Sequence, residues 1–167
     1  MTFLKKTISD NQKIELYKFN GDDFIDLDDG YHNDDAVKVC FLDLETTGLN
    51  KETCKIIEFA GKLTAIDKNN GELIGIIDKY QSFNDPEENI APEITRVTGI
   101  TNEDVAGHSL DWEYISNLIN HADIIVAHNA SFDRAFMDRY LPLSKDKVWV
   151  CSVNDINWPQ RGFGARG

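Results

Sequence analysis

Two carboxylates, Asp43 and Glu45, stand one residue apart in FLDLETTG, residues 41–48. On a strand that spacing puts both side chains on one face. Like charges so close repel unless a cation lies between them. Thr46, Thr47 and Gly48 follow at once. Such a turn offers backbone N–H groups and hydroxyls beside the acids, suited to a sugar hydroxyl or a phosphate. A third acid, Asp133, lies in AHNASFDRAF, residues 127–136. It falls in the first turn of a predicted helix, where the helix dipole favours a charged carboxylate. If neighbouring strands bring that helix start beside the end of the first strand, three hard oxygen ligands converge. That donor set suits Mg²⁺ or Mn²⁺ and not zinc.

The elements that must position these acids are legible from periodicity. KVCFLDLE, from Lys38, is expected to be a buried strand, apolar on both faces until its end. KIIEFAGKLTAID and GELIGIIDKYQSF are two more strands, joined by a hairpin-type turn over Asp67 to Gly71. PEITRVTGI is a short helix entered through Pro92 and ended at Gly99, with Thr101 capping the next turn. Ile115, Leu118, Ile119 and Ala122 recur at helical spacing in SLDWEYISNLINHA. DIIVAHN is a short buried strand carrying His128 and Asn129 at its end. SFDRAFMDRYL is a helix with Phe132, Ala135 and Phe136 on one face, ended before Pro142, and KVWVCSV is a fifth strand. The class is α/β, with a mixed sheet: an antiparallel meander, then parallel strands reached through helices.

Composition sets limits on partners. The formal charge of -12 argues against holding duplex phosphates by charge alone. Cys40, Cys54 and Cys151 are scattered and lack any CxxC spacing, as expected of reduced thiols in a cytoplasmic protein. The first residues show no secretory signal, and no apolar stretch is long enough to cross a membrane. Residues 1–36 form an acid-rich N-terminal extension with turn signals at Asn20-Gly21 and Asp29-Gly30, without the spacing of a calcium loop. IELYKF, residues 14–19, alternates and could add an edge strand. Residues 37–167 form the domain.

FLDLETTGL, PEITRVTGIT and AHNASFDRAF, in that order and spacing, resemble the first motif, the intervening loop and the second motif of the DEDD 3′–5′ exonucleases. The similarity is to the DnaQ-like branch, the proofreading exonucleases of bacterial polymerases. The resemblance implies an RNase H-like fold, a five-stranded mixed sheet flanked by helices. It also implies that Asp43, Glu45 and Asp133 are catalytic metal ligands, holding two Mg²⁺ or Mn²⁺ ions that clamp the scissile phosphate. Glu45 and the backbone at Thr46, beside Thr47, would grip the terminal 3′ hydroxyl. Thr98, Gly99 and Ile100 would line the last nucleotide's pocket, and Asn129 and Phe132 would contact the penultimate one. His128 and Glu58 read as structural.

The family's third motif is a histidine four or five residues before a fourth aspartate. His32, His108, His121 and His128 all precede the fifth strand, and Asp155 is no substitute. The domain is therefore expected to be incomplete at its C-terminus and weak in catalysis. The implied partner is the 3′ end of a single-stranded nucleic acid, DNA before RNA, with a DNA polymerase subunit as a further partner. The alternative is a non-catalytic module that binds a nucleic-acid end or a protein. Apolar surface near Trp149, Trp158 and Phe163 is expected to be exposed and to favour self-association.

Overall fold

The structure is a computed structural model; it describes residues 24–28 and 30–161, together with the backbone of Ile8–Ser9 and Lys13–Ile14. Those last two pairs are short antiparallel strands, β1 and β2. The runs rich in branched and aromatic residues become β3 (Ala36–Thr46), β4 (Ile56–Asp67) and β5 (Leu73–Phe83). Helices α1 (Pro92–Thr98), α2 (Asn102–Val105) and α3 (Trp112–His121) follow. Then come β6 (Ile124–Ala127), α4 (Ser131–Tyr140) and β7 (Val148–Cys151). The five-stranded sheet has the order β5-β4-β3-β6-β7. The β3–β4 and β4–β5 pairs are antiparallel, and β6 and β7 run parallel to β3. Meander and crossovers fall where the periodicity placed them.

The main core lies between the sheet and the helices α3 and α4. Leu42, Leu44, Phe59 and Leu63 of the sheet meet Ile115, Leu118, Ile119, Phe136 and Met137. Gly61 makes this approach possible: a Cβ there would stand 2.8 Å from a Leu118 methyl and 2.9 Å from the Phe59 ring. The opposite sheet face is buried at Val39 and Thr64 and open at Phe41. Phe41 is 44% exposed, and Lys62, Lys79 and Gln81 are exposed beside it. The expectation that β3 is buried on both faces therefore holds at Val39 and fails at Phe41. No described helix packs against the Phe41 face, so only the even-numbered residues of the strand's second half are covered.

A second, smaller cluster of Ile57, Ile90, Ile100 and Val105 packs around the start of β4. It anchors α1 and α2 at the end of the sheet where Glu45 lies opposite Glu58. Gly99 ends α1 in the left-handed region at φ 80°, returning its N–H to Thr95 O. Thr101 and Asp104 form the capping box of α2. At the far edge, Leu27 N–H donates to Ile76 O and Ile76 N–H to Ile25 O, so residues 25–27 lie along β5. Part of the acidic extension thus joins the sheet, although residues 15–19 of the expected edge strand lie outside the described residues. Trp149 and Trp158 are half-buried, and their indole N–H groups donate to Ser144 O and Ser152 O. The two rings are thus partly covered, while Val148 beside Trp149 is 58% exposed; Phe163 lies outside the described residues.

Gly61→Val should destabilise the fold by about 1–3 kcal/mol through overpacking against Leu118. Urea unfolding measures it, and an unchanged midpoint would show that α3 does not depend on this close approach.

Candidate active site

Strand β6 pairs with β3 only through Val39–Phe41. Beyond Phe41 that edge of β3 has no strand beside it, and the start of α4 takes the place. Asp133 Oδ1 accepts the Leu44 N–H at 3.1 Å. Asp133 is only 2% exposed. Leu44 points its side chain into the core, so its neighbours Asp43 and Glu45 face the opposite way. The buried carboxyl is held at the backbone of the residue that separates them. Across the sheet Glu45 lies opposite Glu58, whose Oε1 accepts from Gln81 Nε2 at 2.7 Å. The register then shifts between Glu45 and Thr46, which pairs with Ile56 so that Ile57 is left without a partner on β3.

The electrostatics follow from this crowding. Burial, then the Asp43 charge, pushes the Asp133 carboxyl up to about 7, against the opposing pull of backbone N–H groups at Asp133 and Leu44. Glu45 is raised by burial and by the charges of Asp43 and Glu58. Asp43 is raised by burial, with the nearby His128 and the Leu44 N–H working the other way. Three carboxyl groups whose proton affinity is raised by burial, and for Glu45 and Asp133 also by the Asp43 charge, fit the chemistry of a hard divalent cation. Among the described residues, however, no three His, Cys, Asp or Glu side chains are close enough to hold a metal ion as they stand. The donor set is present and the cage is not closed.

The other residues singled out by sequence have visible structural work. Thr46 is buried and its hydroxyl donates to Gly48 O at 2.7 Å. Thr47 Oγ1 accepts from Lys55 N–H and donates to Glu88 Oε1. Thr98 Oγ1 donates to Ile94 O and accepts from Ile100 N–H, while the Ile100 side chain is buried in the second cluster. Phe132 packs against Phe136 with ring centres 5.0 Å apart. Asn129 is exposed at φ 62° and does not cap the α4 backbone; Ser131 Oγ donates to its Oδ1.

His128, read from the sequence as structural, directly follows β6, beside the strand that carries Asp43. It is exposed, with Nδ1 3.0 Å from Ser152 Oγ, and its charge acts on Asp43. The available signal was its place at the end of a strand beside the one carrying Asp43.

A mixed sheet in this order, with acids at the end of its central strand, is of the RNase H-like nuclease kind. Solved structures share the fold. Exonuclease I with product bound aligns at TM-score 0.56 and 17% identity, over 71% of this chain and 30% of that one. E. coli exonuclease I in complex with a dT13 oligonucleotide aligns at 0.55 and 18%, over 71% and 28%. A family model described as Exonuclease matches residues 40–150, and the chain belongs to that family, in its DnaQ-like DEDD group. The DNA polymerase III PolC-type protein of Staphylococcus aureus is 40% identical over 106 residues. That stretch is 62% of this chain and 7% of the polymerase, so the chain matches less than a tenth of that relative's length. Among the described residues no helix is long and apolar enough to cross a membrane.

The raised Asp133 carboxyl gives a pH signature in the metal-free protein. Near pH 4 an unfolded aspartate ionises, while the folded one keeps its proton to about 7. The native state then binds more protons than the unfolded one, so stability falls as pH rises between these values and levels off above them. Asp133→Asn should flatten that slope and raise the melting temperature at pH 7.5, by roughly 2–4 °C for each kcal/mol recovered. Thermal melts in chelator at pH 5 and 7.5 check this; equal slopes in both proteins would mean the carboxyl is not buried with its neighbours.

Proposed function

We propose that this chain is a metal-dependent 3′–5′ exonuclease that removes nucleotides from single-stranded DNA. The observation that carries the reading is the buried Asp133 carboxyl, which accepts the N–H of Leu44, the residue between Asp43 and Glu45. Those three side chains would hold Mg²⁺ or Mn²⁺. Bound there, the ions supply charge neutralisation at the scissile phosphate and an activated water. The protein's own part is orientation. Glu45 and the turn after Thr46 grip the terminal 3′ hydroxyl, with Thr47 fixing that turn. Thr98, Gly99 and Ile100 form the wall for the last base, their backbone set by the α1 cap and the buried Ile100. Asn129 and Phe132 meet the penultimate nucleotide at the start of α4.

DNA is favoured over RNA because one structural neighbour is an exonuclease complexed with dT13 and the curated relative is a DNA polymerase. The latter also supports action alongside a polymerase. Three free thiols support a reducing, cytoplasmic setting.

A 5′-labelled single-stranded oligonucleotide with Mn²⁺ tests the reading. The expected result is stepwise shortening from the 3′ end, reduced about a hundredfold or more by Asp43→Asn. A 3′-phosphate should block it, since Glu45 would face charge in place of a hydroxyl. Tight binding of the 3′ end without shortening would instead identify a non-catalytic end-binding module. Equal handling of 3′-hydroxyl and 3′-phosphate ends would overturn the assigned pocket.

A further inference from the structure

Helix α4 touches the DLETTG segment at two places. Asp133 in its first turn meets Leu44. Arg139 in its last turn reaches the loop that follows. Its Nη1 donates to Lys51 O, and its Nη2 donates to Cys54 O at 2.5 Å and to Tyr140 Oη at 2.6 Å. The guanidinium lies 4.5 Å from the Tyr140 ring centre and 5.5 Å from that of Phe136. A planar cation fixed on two rings has few other orientations to adopt.

The loop so held continues into the turn after Glu45. Cys54 N–H donates to Asn50 O, closing the loop on itself. Thr47 N–H donates to Lys55 O at 2.8 Å, and Lys55 N–H returns to Thr47 Oγ1 at 3.0 Å. Cys54 Sγ packs so closely on Gly48 that a Cβ there would stand 2.9 Å away. On the other side Lys55 Nζ reaches Pro86 O, and Thr47 Oγ1 reaches Glu88. Arg139 is thus linked to Thr47 by a hydrogen bond to Cys54 O, the Cys54–Lys55 peptide bond and two hydrogen bonds between Lys55 and Thr47.

We propose that Arg139 is a positioning residue: it sets the Thr46–Gly48 turn, through Cys54 and Lys55, for recognition of a 3′-terminal hydroxyl. This rests on the nuclease reading given above. Arg139 touches no reacting atom in that reading, and it stands apart from the three carboxylates.

The test uses Arg139→Ala and Arg139→Lys in the full chain. Amide hydrogen exchange over residues 45–56 should quicken in Arg139→Ala by on the order of tenfold, the loss of one or two charge-assisted bonds. Stabilisation by Mn²⁺ should be retained, because Asp43, Glu45 and Asp133 are untouched. Affinity for a 3′-hydroxyl oligonucleotide over its 3′-phosphate form, read by fluorescence anisotropy, should fall severalfold, and Arg139→Lys should recover part of it. Unchanged exchange over residues 45–56 would overturn the proposal, as would a joint loss of Mn²⁺ stabilisation and overall stability, which marks a purely structural arginine. If the unaltered protein does not distinguish the two oligonucleotides, the nuclease reading falls, and the exchange data still decide whether Arg139 sets the turn.

Discussion

The hydrogen bond from Leu44 N–H to Asp133 is the interaction on which the site depends. It exists because β6 stops pairing with β3 at Phe41, leaving a strand edge that must find an acceptor. A carboxylate is the strongest acceptor available, and a hydrogen bond to a charged group stabilises by about 1.5–3 kcal/mol. Against it stand burial and two neighbouring carboxylates. The second side wins: Asp133 is pushed up to about 7, so near neutral pH the proton and the charge are finely balanced. The fold carries a carboxyl that a divalent cation would ionise readily. A site built for packing alone would be better served by an asparagine, which accepts the same N–H without the repulsion.

The architecture was largely legible because the sheet obeys simple periodicities. The apolar run of β3, the branched and aromatic runs of β4 and β5, helical spacing in α3, and the glycine at the end of α1 each dictate local structure with little tertiary override. The pairing of Asp43 and Glu45 on one face follows from strand geometry alone. That the start of α4 lies beside Leu44 was legible only because a parallel strand must bring the following helix back beside its neighbour. What sequence did not carry was the identity of the covered face. Phe41 looks like a core residue by type, yet helices pack on one side only, and its ring lies 44% exposed. Charge neighbourhoods were also hidden: the influence of His128 on Asp43 depends on two strand ends 85 residues apart in register, which no local pattern encodes.

Several residues expected to meet substrate turn out to be occupied within the chain. Thr98 closes the end of α1, Ile100 fills the second cluster, and Thr46 and Thr47 hydroxyls serve their own turn. These observations do not compete with a binding role. A turn recognises a small polar group by holding backbone donors at fixed positions, and side chains engaged internally are what hold them. The hydroxyls then act by rigidity, and their loss would be felt as misplacement of the backbone.

Rigidity of that kind cannot come from the motif itself. Residues 43–48 contain two repelling acids and a glycine, so left alone they would favour open, shifting conformations. The restraints come from elsewhere in sequence: Glu58 and Phe59 across the β4 ladder, Pro86 and Glu88 from the loop after β5, and α4 at both of its ends. Helix α4 is ten residues long, about 15 Å at the usual helical rise. That length lets one rigid body hold Leu44 at its start and Cys54 at its finish. The acids and the turn are thereby referenced to the same helix, so a shift of one relative to the other would require α4 to bend or to leave the core formed by Phe136 and Met137. Those two side chains are fully buried, and truncating either would cost about 2–5 kcal/mol. The spatial relation between the carboxylates and the adjoining turn is thus secured by the most deeply packed part of the molecule.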